Sequence, residues 1–194
     1  MAEGPGHCRD TELLLEQSDL EHAIRTERSR FVDLNLDNIH PVALASNYTK
    51  LSNISFSETL LGADLIVSLP KLKTHHWAGV TLSMKNLFGV VPGIAYGWPK
   101  NVLHWAGIHE SILDICATVR PHFVIADGII AMEGDGPLNG TPKALNTILL
   151  ADDPVTADSA LAQLLGFNPW SIQHIREASQ FIGNLSKPAV SRLA

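Results

Sequence analysis

The chain has 194 residues, 45% of them hydrophobic and 18% charged, which is enough to bury one core without a disulfide framework. Lys plus Arg total 14 against 20 Asp plus Glu, a net charge of −6 that excludes the broad basic face of a general nucleic-acid binder. No apolar run reaches the length of a membrane span, so neither nucleic acid nor membrane is an expected partner. The two cysteines, Cys8 and Cys116, make no metal-type pair, and no basic-then-apolar leader opens the chain. The expected location is the cytoplasm.

In chain order, residues 1–54 read as an irregular N-terminal segment of the same domain, 55–183 as an α/β core and 184–194 as a tail. Residues 11–24 have helical spacing, with Leu13, Leu14, Leu20 and Ile24 on one face. Two short strands are expected over 30–36 and 42–46. The opening Gly4-Pro5-Gly6-His7 is loop chemistry, and the chain reads as starting inside a longer, N-terminally truncated domain. Ser57 is placed to cap a short helix that Gly62 ends. Residues 64–69 form an apolar strand stopped by Pro70. Helices are expected over 80–88 and 102–119, the second from the recurrence of Trp105, Ile108, Ile112, Ile115 and Val119. Strands follow at 123–126 and 147–150. Asp153, with Pro154 at the first helical position, opens a helix that Gly166 stops. A last helix covers 169–181.

Apolar strands alternating with helices predict an α/β fold with a mostly parallel sheet and helices on both faces. In such sheets ligands bind beyond the carboxyl ends of the strands, so the segments after each strand are the places to search. After 64–69 come Lys71, Leu72, Lys73, Thr74, His75 and His76. Lys71 and Lys73, two apart in an extended segment, point the same way and suit one phosphate or carboxylate, with the Thr74 hydroxyl as a further donor. His75 is a candidate base or metal ligand, and its ring is expected to diverge from that of His76. Lys85 and Asn86 sit near the end of the 80–88 helix, where a cation offsets the helix dipole or turns toward the lysine loop. His104, in the first turn of the 102–119 helix, is expected to be neutral.

The acidic half of the set follows the strand at 123–126. Asp127 closes that strand, and Glu133 and Asp135 lie among Gly128, Gly134 and Gly136, which allow close backbone approach. Carboxylates on such a loop suit a hard divalent cation, or Asp135-Gly136 merely supplies turn geometry. Asp152 and Asp153 follow the strand at 147–150 and are expected on the same side of the sheet. The chain lacks a Gly-x-Gly-x-x-Gly turn, a phosphate-loop motif and a Gly-x-Ser-x-Gly elbow, which disfavours a standard nucleotide enzyme or serine hydrolase.

The run Leu69-Pro70-Lys71-Leu72-Lys73-Thr74-His75 is followed by Met84-Lys85-Asn86-Leu87-Phe88-Gly89, Ala126-Asp127-Gly128-Ile129 and Met132-Glu133-Gly134-Asp135-Gly136-Pro137. Together with His104 and the segment 152–158, these motifs resemble the domain-of-unknown-function family 362. The resemblance covers about residues 56–183, the central and C-terminal part of the family domain. It implies an uncharacterised protein often associated with iron–sulfur modules, with redox chemistry on the ligand beside a ferredoxin-like partner; a homo-oligomer is the other expected partnership. This chain has no cysteine cluster, so it holds no four-cysteine iron–sulfur centre alone. The leading expectation is a small anionic ligand at the sheet edge. Lys71, His75 and Asp127 are the candidate catalytic groups, and Lys73, Thr74, Lys85, Asn86, His104, Gly134 and Gly136 the ligand-binding ones. Glu133 and Asp135 are the candidate metal ligands. The alternative is a non-catalytic interaction domain or an inactive truncated member.

Overall fold

A computed structural model describes residues 1–7 and 9–185; Cys8 and the part of the expected tail from residue 186 onward lie outside the described residues. In chain order the elements are β1 (Ala2–Glu3), α1 (Thr11–Glu16), α2 (Leu20–Thr26), β2 (Val32–Asp33), β3 (Ile39–Ala43), β4 (Asn53–Ser57) and α3 (Glu58–Leu61). Then come β5 (Val67–Ser68), β6 (Lys71–His75), β7 (Gly79–Thr81), α4 (Ser83–Asn86), α5 (Gly93–Tyr96), α6 (Asn101–Trp105) and α7 (Ile108–Val119). The last are β8 (Phe123–Asp135), β9 (Asn139–Ala151), α8 (Pro154–Leu164) and α9 (Gln173–Ala178).

The fold is α/β, as the alternation of apolar strands and helices requires, and β8 organises its main sheet. β5 and β6 lie along one side of β8 and run parallel to it, with Lys71 opposite Asp127 and Lys73 opposite Met132. The register shifts between those two pairs, an irregularity in the ladder in which β8 advances five residues while β6 advances two. β7 pairs antiparallel with β6, and β9 antiparallel with β8. The core gathers Leu72, Val80, Val124 and Ala126 from these strands. Ile112, Leu113 and Ile115 of α7, Leu161 of α8 and Ile175 of α9 pack on them, all fully buried. The opposite face of the strands is open: Leu69, Ile148 and Leu150 are 55%, 60% and 57% exposed.

Local signals are realised where they act locally. The Ser57 hydroxyl accepts from Leu60 N and Gly62 closes α3. Asp153 Oδ1 accepts from Val155 N and Thr156 N at 2.8 and 3.0 Å to open α8. Several longer-range expectations are corrected. Residues 127–135, expected as a loop, continue β8, because pairing with β9 from Val124 to Asp135 satisfies their backbone despite the glycines. Lys71 to His75 is likewise a strand, since β8 supplies a neighbour and its polar and apolar residues alternate. The strand around 147–150 belongs to β9 and runs antiparallel, as a tight connection from β8 demands, so Asp152 and Asp153 emerge at the other end of the sheet. The expected 80–88 helix is β7 followed by α4 and a 3-10 turn, and the 102–119 helix divides at Gly107, whose φ is +105°. The 11–24 helix is two short ones with no buried residue; Leu13 and Leu20 are 48% and 44% exposed.

Candidate functional site

β6 delivers Lys73 and His75 to the end of the sheet, where the chain reverses through His76 and Trp77 into β7. His75 closes that turn itself: its Nδ1 accepts from Trp77 N and Ala78 N, each at 3.2 Å. The ring is buried, its proton sits on Nε2, and burial, reinforced by Lys85, His76, His104 and Lys73, pushes it down to about 3. The adjacent rings do not diverge as an extended chain would dictate. They stack with centroids 4.9 Å apart, because the backbone has left the strand geometry after His75. His76 is anchored by its Nδ1, 3.0 Å from Gly136 O at the end of the β8–β9 hairpin.

Two further elements complete the cluster. From α4, Lys85 Nζ lies 4.2 Å from the centre of the Phe88 ring, a cation–π contact. Burial first, then Lys73 and Lys100, lower its ammonium to about 8. From α6, His104 sets its ring edge-on to both Trp77 and Phe88, at 5.5 and 5.6 Å, and its Nδ1 lies 3.1 Å from Lys100 O. Burial holds His104 below the usual imidazole range, against that hydrogen bond and with help from Lys85, His76 and Lys100. Lys100 is itself buried, donating to Gly4 O and Phe88 O at 3.0 and 2.9 Å, and burial lowers it to about 8. The result is a shelf of Lys73, His75, His76, Lys85 and His104 rimmed by the exposed Trp77.

The other sequence candidates fall elsewhere. Lys71 and Asp127 meet on neighbouring strands at 2.8 Å, both half-exposed. The Lys71 hydrogen bond holds the Asp127 carboxyl below its usual range. Glu133 pairs with Lys143 of β9 at 2.7 Å, while Asp135 stands at the hairpin end opposite Asn139. Among the described residues no three His, Cys, Asp or Glu side chains form a metal-holding group. Asn86 Nδ2 donates to Ser68 Oγ at 3.2 Å, which ties α4 to β5. Thr74 is buried, its hydroxyl without a partner among the described residues, and a Cβ on Gly136 would lie 2.2 Å from Thr74 O. Gly134, with φ of +79°, has open space around it. Two surface hollows lie outside the shelf, one lined by Arg120, Asp152 and Pro154, the other by Ser46, Lys50 and Leu51.

Three buried polar residues lie outside the set of candidate site residues. Asp158 accepts from Ser83 N, Ser83 Oγ and Met84 N at 2.7, 2.5 and 3.1 Å, and so caps α4, whose own preceding residue, Leu82, cannot. Asp114 accepts from Ser46 Oγ, Tyr48 N, Thr49 N and Thr49 Oγ1, holding the segment before β4 against α7. His174 is fully buried with its Nδ1 2.9 Å from His109 Nδ1. All three stand within expected helices, at 102–119, from Asp153 to Gly166 and at 169–181, and a helical position does not say what a side chain meets.

Comparison with known proteins agrees with the motifs. Residues 1–163 match the family described as Domain of unknown function (DUF362), so the match takes in the N-terminal segment as well as most of the core. The chain is similar to the "Thylakoid-associated protein sll1697" of Synechocystis sp., 29% identical over 133 residues. That stretch is 66% of this chain and 40% of the relative, so the chain spans well under half of that protein. No solved structure matches the chain. No helix among the described residues is long and apolar enough to cross a membrane. The match over most of the chain places it in an uncharacterised family: this protein belongs to DUF362.

Proposed function

We propose that this domain binds a small oxyanion, phosphate- or carboxylate-bearing, on the shelf of Lys73, His75, Lys85 and His104. One observation carries the reading. The groups that press on His75 and Lys85 are all cationic or imidazole, and neither Lys73 nor Lys85 has an acidic partner within ion-pair distance among the described residues. Like charges brought together on a half-buried surface repel, and an anion between them relieves that repulsion. His75 serves as a fixed N–H donor, since its Nδ1 is occupied. In this reading Lys71 and Asp127 neutralise each other outside the shelf. Calorimetric titration of inorganic phosphate into wild type and Lys73→Ala/Lys85→Ala tests it. Wild type is expected to bind and the double variant to lose at least about tenfold in affinity. No heat from wild type at low ionic strength would end the proposal.

A second reading, a protein-interaction domain, is favoured by the open sheet face. Val67, Ile125, Ile148 and Leu150 on strands whose other side is core, and Leu69 just after β5, are all at least a third exposed. Contiguous apolar surface of that kind marks a docking area for another chain. Light scattering at micromolar concentration, on wild type and Ile148→Lys, decides whether that partner is a second copy. We propose the cytoplasm as the location; the Synechocystis relative is by name thylakoid-associated, and cell fractionation distinguishes the two.

A further inference from the structure

We infer that the shelf selects an oxyanion carrying its own proton, hydrogen phosphate over sulfate, because it sets imidazole lone pairs beside its cationic donors. This rests on the anion reading above and narrows it.

The tautomers follow from the hydrogen bonds. A carbonyl oxygen can only accept, so the Nδ1 atoms of His76 and His104, 3.0 and 3.1 Å from Gly136 O and Lys100 O, must carry protons. A ring that carries its single proton on Nδ1 offers Nε2 as a bare lone pair, and neither Nε2 has a protein partner among the described residues. His75 is the reverse. Its Nδ1 accepts two backbone N–H groups, so its Nε2 is a donor. The groups facing His104 are Lys85 from α4, Lys100 ahead of α6, and His76 and Trp77 from the β6–β7 turn, with Phe88 packed edge-on. Burial above all opposes a second proton on that ring, and the charged groups among them add to it.

The shelf therefore presents donors at Lys73, Lys85 and His75 together with acceptors at His104 and His76. Sulfate has no proton at neutral pH and would set an oxygen lone pair against each of those nitrogens. Hydrogen phosphate turns its O–H toward one of them and keeps its remaining oxygens for the cations. A site with a built-in acceptor rejects a ligand that cannot donate to it, because the mismatched pair is desolvated and left unsatisfied.

The test is calorimetry with sodium phosphate and sodium sulfate at pH 7.5 and equal ionic strength. Wild type should bind phosphate at least about tenfold more tightly than sulfate. His104→Lys and His76→Lys each replace a lone pair with an ammonium donor, and should bring that ratio toward one by improving sulfate. His76 is exposed, so its variant remains informative if the half-buried His104 position does not tolerate lysine. Equal affinity of wild type for the two anions would overturn this selectivity while leaving the anion site standing. Failure of both anions to bind would overturn the site itself. A phosphate preference that neither variant moves would remove the two histidines as its source.

Discussion

Lys71 Nζ and Asp127 Oδ2 lie 2.8 Å apart across the β6–β8 ladder, on facing positions of parallel strands, with about half of each side chain open to solvent. Solvent screens such a pair, and ordering two side chains offsets part of its attraction, so it is worth at most about 1 kcal/mol. Lys71→Ala and Asp127→Asn should each change unfolding free energy by no more than that in urea titrations. A loss above about 2 kcal/mol would mean the pair anchors the ladder.

Asp158 behaves differently because it is fully buried. Burial raises its carboxyl to about 7, against the pull of Ser83 and Met84. The folded protein thus holds this proton more tightly than the unfolded chain does. The contribution of Asp158 is fully present below about pH 4 and declines as pH rises toward 7. Asp158→Asn should flatten that part of the stability–pH curve. Asp158→Ala should cost about 1–3 kcal/mol at any pH by leaving the Ser83 and Met84 N–H groups buried and unpaired. Urea unfolding at pH 5 and pH 8 reads both effects.

His174 runs the other way. Burial, then His109, Lys85 and His75, push it down to about 3, so the unfolded chain takes the proton more readily. Its contribution is intact above about pH 6.5 and is lost as pH falls toward 3. Replacing it by an unionisable apolar residue, His174→Leu, should move the acid-unfolding midpoint to lower pH in circular dichroism. An unchanged midpoint would place the acid trigger elsewhere, with His75 the next candidate since it is lowered to the same level.

Gly136 and Gly134 are two residues apart yet should respond differently to alanine. A Cβ on Gly136 would stand 2.2 Å from a backbone oxygen of Thr74, which cannot step aside without moving β6. Gly136→Ala should therefore cost about 1–3 kcal/mol and loosen the His76 anchor. Gly134 has open space but a φ of +79°, so Gly134→Ala should cost about 1–2 kcal/mol from backbone strain alone. Phosphate binding measured on both variants separates the two. The Gly136 change should weaken it through His76, and the Gly134 change should leave it alone.

What the sequence determined by itself is local. Ser57 and Gly62 bound α3, Asp153-Pro154 open α8, and apolar periodicity marks α7, because caps and helix period act within a few residues. The motif order also sufficed to identify the family. Only the tertiary structure decided that the Gly- and Asp-rich stretch after Ala126 is the second half of a long strand. β9 supplies the hydrogen bonds that override its turn-like composition, and the hairpin sends Asp152 and Asp153 to the far end of the sheet. The same holds for the shelf. Lys73, Lys85 and His104 come from three elements, and their meeting depends on packing of α4 and α6 around Phe88 that no local pattern encodes. Neighbours brought together by long-range packing set the tautomer of each ring, and sequence spacing carries no record of them.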